Sequence, residues 1–215
     1  MKKALTTLTA ILVSLFAAQY LLAQNADAKM SFFLTSRGPG NGADLGGISG
    51  ADAHCSMLAE AVGVTGKTWH AYLGVTGGHG GNARDRIGSG PWHNSKGVEI
   101  ASSVDNLHSD SNNLTKETNI NEKGEVVNGR GDTPNRHDIL TGTASDGTTA
   151  TGDGDTTCGN WSSSGEGSAR VGHHDRTGGG DDGSSWNSAH ASRGCSQEDL
   201  QGTGGDGLYY CFATN

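Results

Sequence analysis

The sequence predicts a secreted α+β domain stapled by disulfides. Three observations carry this reading. An apolar N-terminal leader runs out into small residues. Four cysteines follow, an even number in a chain bound for an oxidising compartment. One amphipathic helix pattern is flanked by short β-type runs.

The leader comes first. Lys2 and Lys3 precede an apolar stretch from Ala4 to Leu22, and Ala26-Asp27-Ala28 matches the small-x-small cleavage pattern. Residues 1–28 are therefore expected to be a signal peptide, followed by one domain at 29–215. No later run is apolar enough to span a bilayer, so membrane insertion is not expected. The chain carries 15 Lys and Arg against 23 Asp and Glu, a formal net charge of −8. That balance argues against DNA, RNA and heparin as partners. All 36 glycines lie beyond the leader. Their backbone entropy predicts that much of the domain is loop.

Met30 to Leu34 reads as a buried strand, and the Gly-rich stretch 37–47 as turns. A helix follows, with Ser49 as its expected cap. Cys55, Leu58, Ala59 and Val62 form its apolar stripe, and Gly63 ends it. Trp69 to Leu73 reads as a second strand, with Trp69, Ala71 and Leu73 on one face. Residues 77–90 read as loop. Val104 and Leu107 suggest a short helix, and 108–137 are expected to be irregular apart from Val126-Val127. Ile139-Leu140 begins a third strand. Residues 141–187, rich in Thr, Gly, Asp and Ser, are expected to hold two strands between long loops. Cys158, Trp161, Val171 and Trp186 are their anchors. Leu208 to Phe212 is a closing strand, expected to lie beside the first.

Cys55, Cys158, Cys195 and Cys211 allow three pairings, and spacing leaves all three open. A nested pattern would tie the ends of the domain together. In the chain-entropy account its inner loop stabilises by roughly 4 kcal/mol and its outer loop by roughly 5.

Several groups are candidates for binding. Asp146, Asp153, Asp155, Asp181 and Asp182 lie in flexible stretches and suit calcium, a hard cation that takes oxygen ligands. Asp153 and Asp155 are the expected metal ligands within Asp153-Gly154-Asp155. His173-His174-Asp175 is the densest histidine cluster. Neighbouring strand residues point to opposite faces, so His173 and His174 do not readily share a zinc ion, whereas His190 can join from the next loop. Trp186 can stack on a sugar ring, while Trp161, three residues from Cys158, reads as a core anchor. Asn187, Asp181 and Asp182 complete the expected ligand-binding set. Arg130-Gly131-Asp132 matches an adhesion tripeptide, a short and unspecific motif. No G-x-S-x-G elbow occurs, and paired cysteines leave no free thiol nucleophile.

The order of motifs resembles a known family. Gly50-Ala51-Asp52-Ala53-His54-Cys55 on the helix is followed by Thr68-Trp69-His70-Ala71-Tyr72-Leu73. Then come Ala83-Arg84-Asp85-Arg86-Ile87, Gly97-Val98-Glu99-Ile100, Ile139-Leu140-Thr141-Gly142 and Cys158-Gly159-Asn160-Trp161. Cys195 and Tyr209-Tyr210-Cys211-Phe212 end the series. The chain is similar, over roughly 30–213, to the C-type lectin-like fold and its endostatin-like branch, the C-terminal domains of collagens XV and XVIII. It also resembles bacterial secreted lectin-like proteins. The resemblance implies two helices, a small twisted antiparallel sheet, paired terminal strands and nested disulfides Cys55–Cys211 and Cys158–Cys195. It implies a ligand site in the 141–190 loops. The family's calcium triplets are incomplete here, since Trp186-Asn187-Ser188 keeps two of three letters and Thr133-Pro134-Asn135 lies before the third strand.

The expected function is therefore a lectin-like binding module, not an enzyme, that recognises a glycan or an extracellular protein. A structural or matrix-interacting protein and a metal-dependent hydrolase using His173, His174 and Asp175 are the alternatives.

Overall fold

Leu208 to Phe212 is apolar without interruption because both of its faces are buried. In the computed structural model it belongs to β8 (Gly205–Ala213). Tyr209, Cys211 and Ala213 face one core cluster, and Leu208, Tyr210 and Phe212 face another. The structure describes residues 29–77, 81–152, 154–180 and 182–214. The expected signal peptide, Asp153 and Asp181 lie outside the described residues.

The class is α+β. In chain order the elements are β1 (Phe32–Leu34), α1 (Gly47–Ala61), β2 (Trp69–Ala71), α2 (Ala83–Arg86), β3 (Trp92–His93), β4 (Glu99–Ala101) and α3 (Val104–Leu107). There follow β5 (Asp138–Leu140), α4 (Cys158–Trp161), β6 (Arg170–His173), β7 (His190–Ala191), α5 (Gln197–Thr203) and β8. The main sheet runs β1-β8-β5-β6-β7, with β2 also on β8, and β3-β4 form a separate hairpin. β1 pairs antiparallel with β8, with Phe33 opposite Cys211, so the two terminal strands are neighbours as expected. The sheet is mixed, because β5 runs parallel to β8. This corrects the purely antiparallel expectation.

Cys55 on α1 bonds to Cys211 on β8, and Cys158 bonds to Cys195, the nested pattern. Ala51, Cys55, Leu58 and Ala59 are the buried residues of α1. Its N-cap is Gly46 rather than Ser49, which lies inside the helix. Trp69, Ala71 and Leu73 enter the same cluster as Cys55, as expected. Five helical segments stand among the described residues where two were expected, the 15-residue α1 and four short ones. Among the described residues of 141–187 there is one strand, β6, rather than two. The Cys158–Trp161 stretch is instead a left-handed turn, with φ of 48°, 63°, 57° and 66°. Left-handed backbone costs a non-glycine residue about 1–2 kcal/mol. Asn160 offsets this by accepting from the Thr76 backbone N–H at 2.8 Å, and Trp161 by donating from Nε1 to the Gly74 carbonyl at 2.8 Å. Trp161 is fully buried, the core anchor it was expected to be.

Candidate metal centre

The pairing of β5 with β6 places Asp138 directly opposite His173. The pairing of β6 with β7 places His190 opposite Val171. Residues two apart on a strand share a face, so Asp138, His173 and His190 project from the same side of the sheet. His137 immediately precedes β5. Three imidazoles thereby close on one carboxylate oxygen. Asp138 Oδ1 lies 3.1 Å from His137 Nε2, 3.3 Å from His173 Nε2 and 3.5 Å from His190 Nε2. His137, Asp138 and His173 are buried, while His190 closes the solvent side at 24% exposure.

The other nitrogen reveals the tautomer in two of the rings. His173 Nδ1 is 2.9 Å from the Gly183 carbonyl, and His190 Nδ1 is 3.0 Å from the Ala191 carbonyl. His137 Nδ1 faces Asp175 Oδ1 at 3.5 Å. Carbonyls only accept, so in His173 and His190 Nδ1 carries the proton, and in the neutral rings their Nε2 is then a bare lone pair. His137 Nδ1 is buried with no hydrogen-bond partner. The three Nε2 atoms and a carboxylate face one another. Both Asp138 oxygens and His173 Nε2 are buried with no hydrogen-bond partner. Buried polar atoms left unpaired are rare in folded proteins and call for a missing partner.

A tetrahedral zinc ion with bonds near 2.05 Å spaces its ligand atoms about 3.3 Å apart, which matches the three separations to Asp138. The remaining contacts have the pattern of metal-bound histidines, whose second nitrogen donates to a carbonyl or carboxylate. The His137 and His173 rings are stacked at 4.2 Å and 15°, so closing both Nε2 atoms on one ion requires one ring to turn. Without a metal, burial pushes the Asp138 carboxyl up, but His173, His190 and His137 outweigh it and hold the group at about 2. Asp138 in turn raises His190 above its ordinary value. A proton on His190 relieves one of the three repulsions and leaves the other two. Burial likewise pushes Asp175 up. The His137 ring and the backbone N–H groups of Arg130 and Thr177 overcome this and hold it well below the carboxylate range.

His174 turns the other way, as strand geometry predicts. Its Nε2 donates to the Asn128 carbonyl at 3.0 Å, and burial lowers its affinity for a proton. This corrects the hydrolase reading that grouped His173 with His174. His137 and Asp138 are absent from the sequence-derived set. The repeated His-Asp pairing at 137–138 and 174–175, at the ends of two adjacent strands, is the signal that points to them.

The other expected site residues lie elsewhere. Trp186 is 3% exposed and packs on Tyr72 at 4.8 Å and Tyr210 at 5.3 Å. Asn187 is buried and donates to the Tyr72 hydroxyl at 2.9 Å. These placements correct the expectation of an exposed ligand-stacking surface: a glycine-rich region has little apolar mass, and the core takes what there is. Asp155 caps α4, accepting from the backbone N–H groups of Thr157 and Gly159. Asp182 accepts from Ser184. Neither joins the close group of three or more metal-ligating side chains found among the described residues. Asp155 thus has a turn-capping role, and Asp153, its expected partner for calcium, lies outside the described residues. In the adhesion-like tripeptide, Asp132 is tied to Lys116 Nζ at 2.6 Å and to the Gly129 backbone N–H at 2.7 Å.

An open cleft of about 490 Å³ lies over the centre, lined by Arg130, Asn135, His137, His173, His190 and Thr203 among others. No helix among the described residues is long and apolar enough to cross a membrane. The chain matches no protein-family model and no curated protein.

Proposed function

We propose that this chain is a secreted, C-type lectin-like binding module of the endostatin-like branch that carries a zinc-class divalent metal. His137, Asp138, His173 and His190 are its ligands, and the cleft above them receives a glycan or an extracellular protein. The observation that carries the metal is the convergence of three imidazoles on a buried carboxylate whose oxygens have no hydrogen-bond partner. Imidazole nitrogen favours zinc over calcium, which prefers oxygen alone. The paired terminal strands and nested disulfides support the lectin-like reading, and the disulfides support secretion.

His137, Asp138 and His173 bring their ligand atoms within 4.8 Å of one another, and His190, 3.5 Å from Asp138 on the solvent side, would close in as the fourth donor. With it the tetrahedron has no vertex for an activated water, the arrangement of a site that holds rather than hydrolyses. The partial exposure of His190 favours one second reading. If His190 swings out, a vertex opens and the centre becomes a metal-dependent hydrolase. The deciding experiment is metal analysis of protein reconstituted with zinc, followed by a glycan array with zinc and with EDTA. One zinc per chain and zinc-dependent glycan or protein binding support the proposal. Protein that takes up no zinc refutes it, and hydrolysis of model esters or peptides by the zinc form favours the second reading.

A further inference from the structure

We infer that the cleft is built for an oxyanion on the ligand, a carboxylate or a phosphate, with Arg130 as the receiving fork. This rests on the metal-bearing reading and adds the chemistry of the ligand. Arg84, Arg86, Arg136 and Arg193 each meet a carboxylate. Arg130 is exposed, lines the cleft with the three histidines, and its guanidinium makes no hydrogen bond or ion pair among the described residues.

Its backbone is nevertheless anchored. The Arg130 backbone N–H donates to Asp175 Oδ2 at 2.6 Å, and Oδ1 of the same carboxylate faces His137. One aspartate thus places both a metal ligand and the cleft's free cation. Gly178, at φ +136°, explains how the guanidinium comes near the centre. A Cβ there would stand 3.0 Å from Arg130 Nη1 and 2.8 Å from His173 Cε1. Glycine leaves that space empty, and the cation and the imidazole border the same gap.

Charge points the same way. A divalent ion bound by Asp138 and neutral histidines keeps one positive unit, Arg130 adds another, and the Asp175 carboxylate behind them removes one. One positive unit remains at the cleft, on a chain of net charge −8. A guanidinium offers parallel N–H donors that match the two oxygens of a carboxylate or of a phosphate edge. The Asn135 amide and the Thr203 hydroxyl at the rim suit the neutral hydroxyls of a ligand that bears such a group.

The test titrates zinc-loaded protein with glucuronate, inorganic phosphate and glucose, by calorimetry or NMR, beside Arg130→Gln with its zinc content checked. Saturable binding of glucuronate, phosphate or both is expected, weakened about tenfold or more in Arg130→Gln, with glucose much weaker. The preferred anion identifies the source, an acidic sugar or carboxylate peptide against a phosphorylated ligand. No binding of either anion, equal binding by Arg130→Gln, or glucose binding as well as glucuronate overturns the inference while zinc binding stands. If the protein takes up no zinc, the metal reading fails on its own, and Arg130→Gln still judges the arginine in metal-free protein.

Discussion

Two histidine networks in this domain differ in a single respect, whether their polar atoms are paired. Around His108 they are. Its Nδ1–H donates to the Val104 carbonyl at 2.8 Å, and its Nε2 accepts from the Tyr72 hydroxyl at 2.7 Å. The Tyr72 oxygen accepts from Asn187, whose own oxygen accepts from Ser185. Around Asp138 the outer nitrogens of His173 and His190 face carbonyls, while both carboxylate oxygens and His173 Nε2 have no hydrogen-bond partner. A completed network specifies packing. An incomplete one in the interior marks where something binds.

The largest expected effect is at the incomplete network. His173→Ala removes a ligand and is expected to abolish stoichiometric zinc binding, measured by metal analysis after dialysis. Asp175→Asn keeps the ligands but weakens the hold on His137 and the Arg130 backbone. It is expected to reduce zinc affinity about 10- to 100-fold in a competition titration with a chelator. A smaller effect belongs to the complete network. Tyr72→Phe leaves His108 Nε2 without its donor, while Asn187 Nδ2 keeps the Ala144 and Ser145 carbonyls. A loss of about 1–3 kcal/mol is expected in denaturant unfolding, with zinc affinity unchanged. Loss of zinc in Tyr72→Phe would break the distinction between the two networks.

Protonation sharpens the comparison further. Burial lowers His108 below its ordinary value of 6.5. The folded state therefore binds fewer protons there than the unfolded chain. Stability from this residue is intact above pH 6.5 and falls as the pH drops below it. The wild-type protein is expected to lose more stability across that window than His108→Gln, by unfolding midpoints at paired pH values. The smallest effect is expected from Lys116→Met, which breaks the exposed pair with Asp132 and leaves the midpoint within error.

Legibility in the sequence follows the range of the interactions. The Cys55-Leu58-Ala59 stripe and the Leu208–Phe212 run are readable because each is a local period or run. α5 is hidden, since Leu200 is its one buried residue among Gln197, Glu198, Asp199 and Gln201. The start of β8 is hidden because Gly205-Asp206-Gly207 reads as a turn. His173 and His190 stand out by type, but Asp138 joins them through strand register, which no local pattern contains. Trp186 misleads because a sugar-stacking tryptophan and a core tryptophan are identical in sequence.

The most direct test compares two adjacent buried histidines. Zinc-reconstituted wild type, His173→Ala and His174→Gln would be weighed by native mass spectrometry, with folding checked by circular dichroism. Glutamine can still donate to the Asn128 carbonyl, so that variant keeps the contact His174 makes. One zinc in the wild type and in His174→Gln, and none in folded His173→Ala, is the predicted result. No zinc in the wild type, or zinc retained in His173→Ala and lost in His174→Gln, would contradict the account.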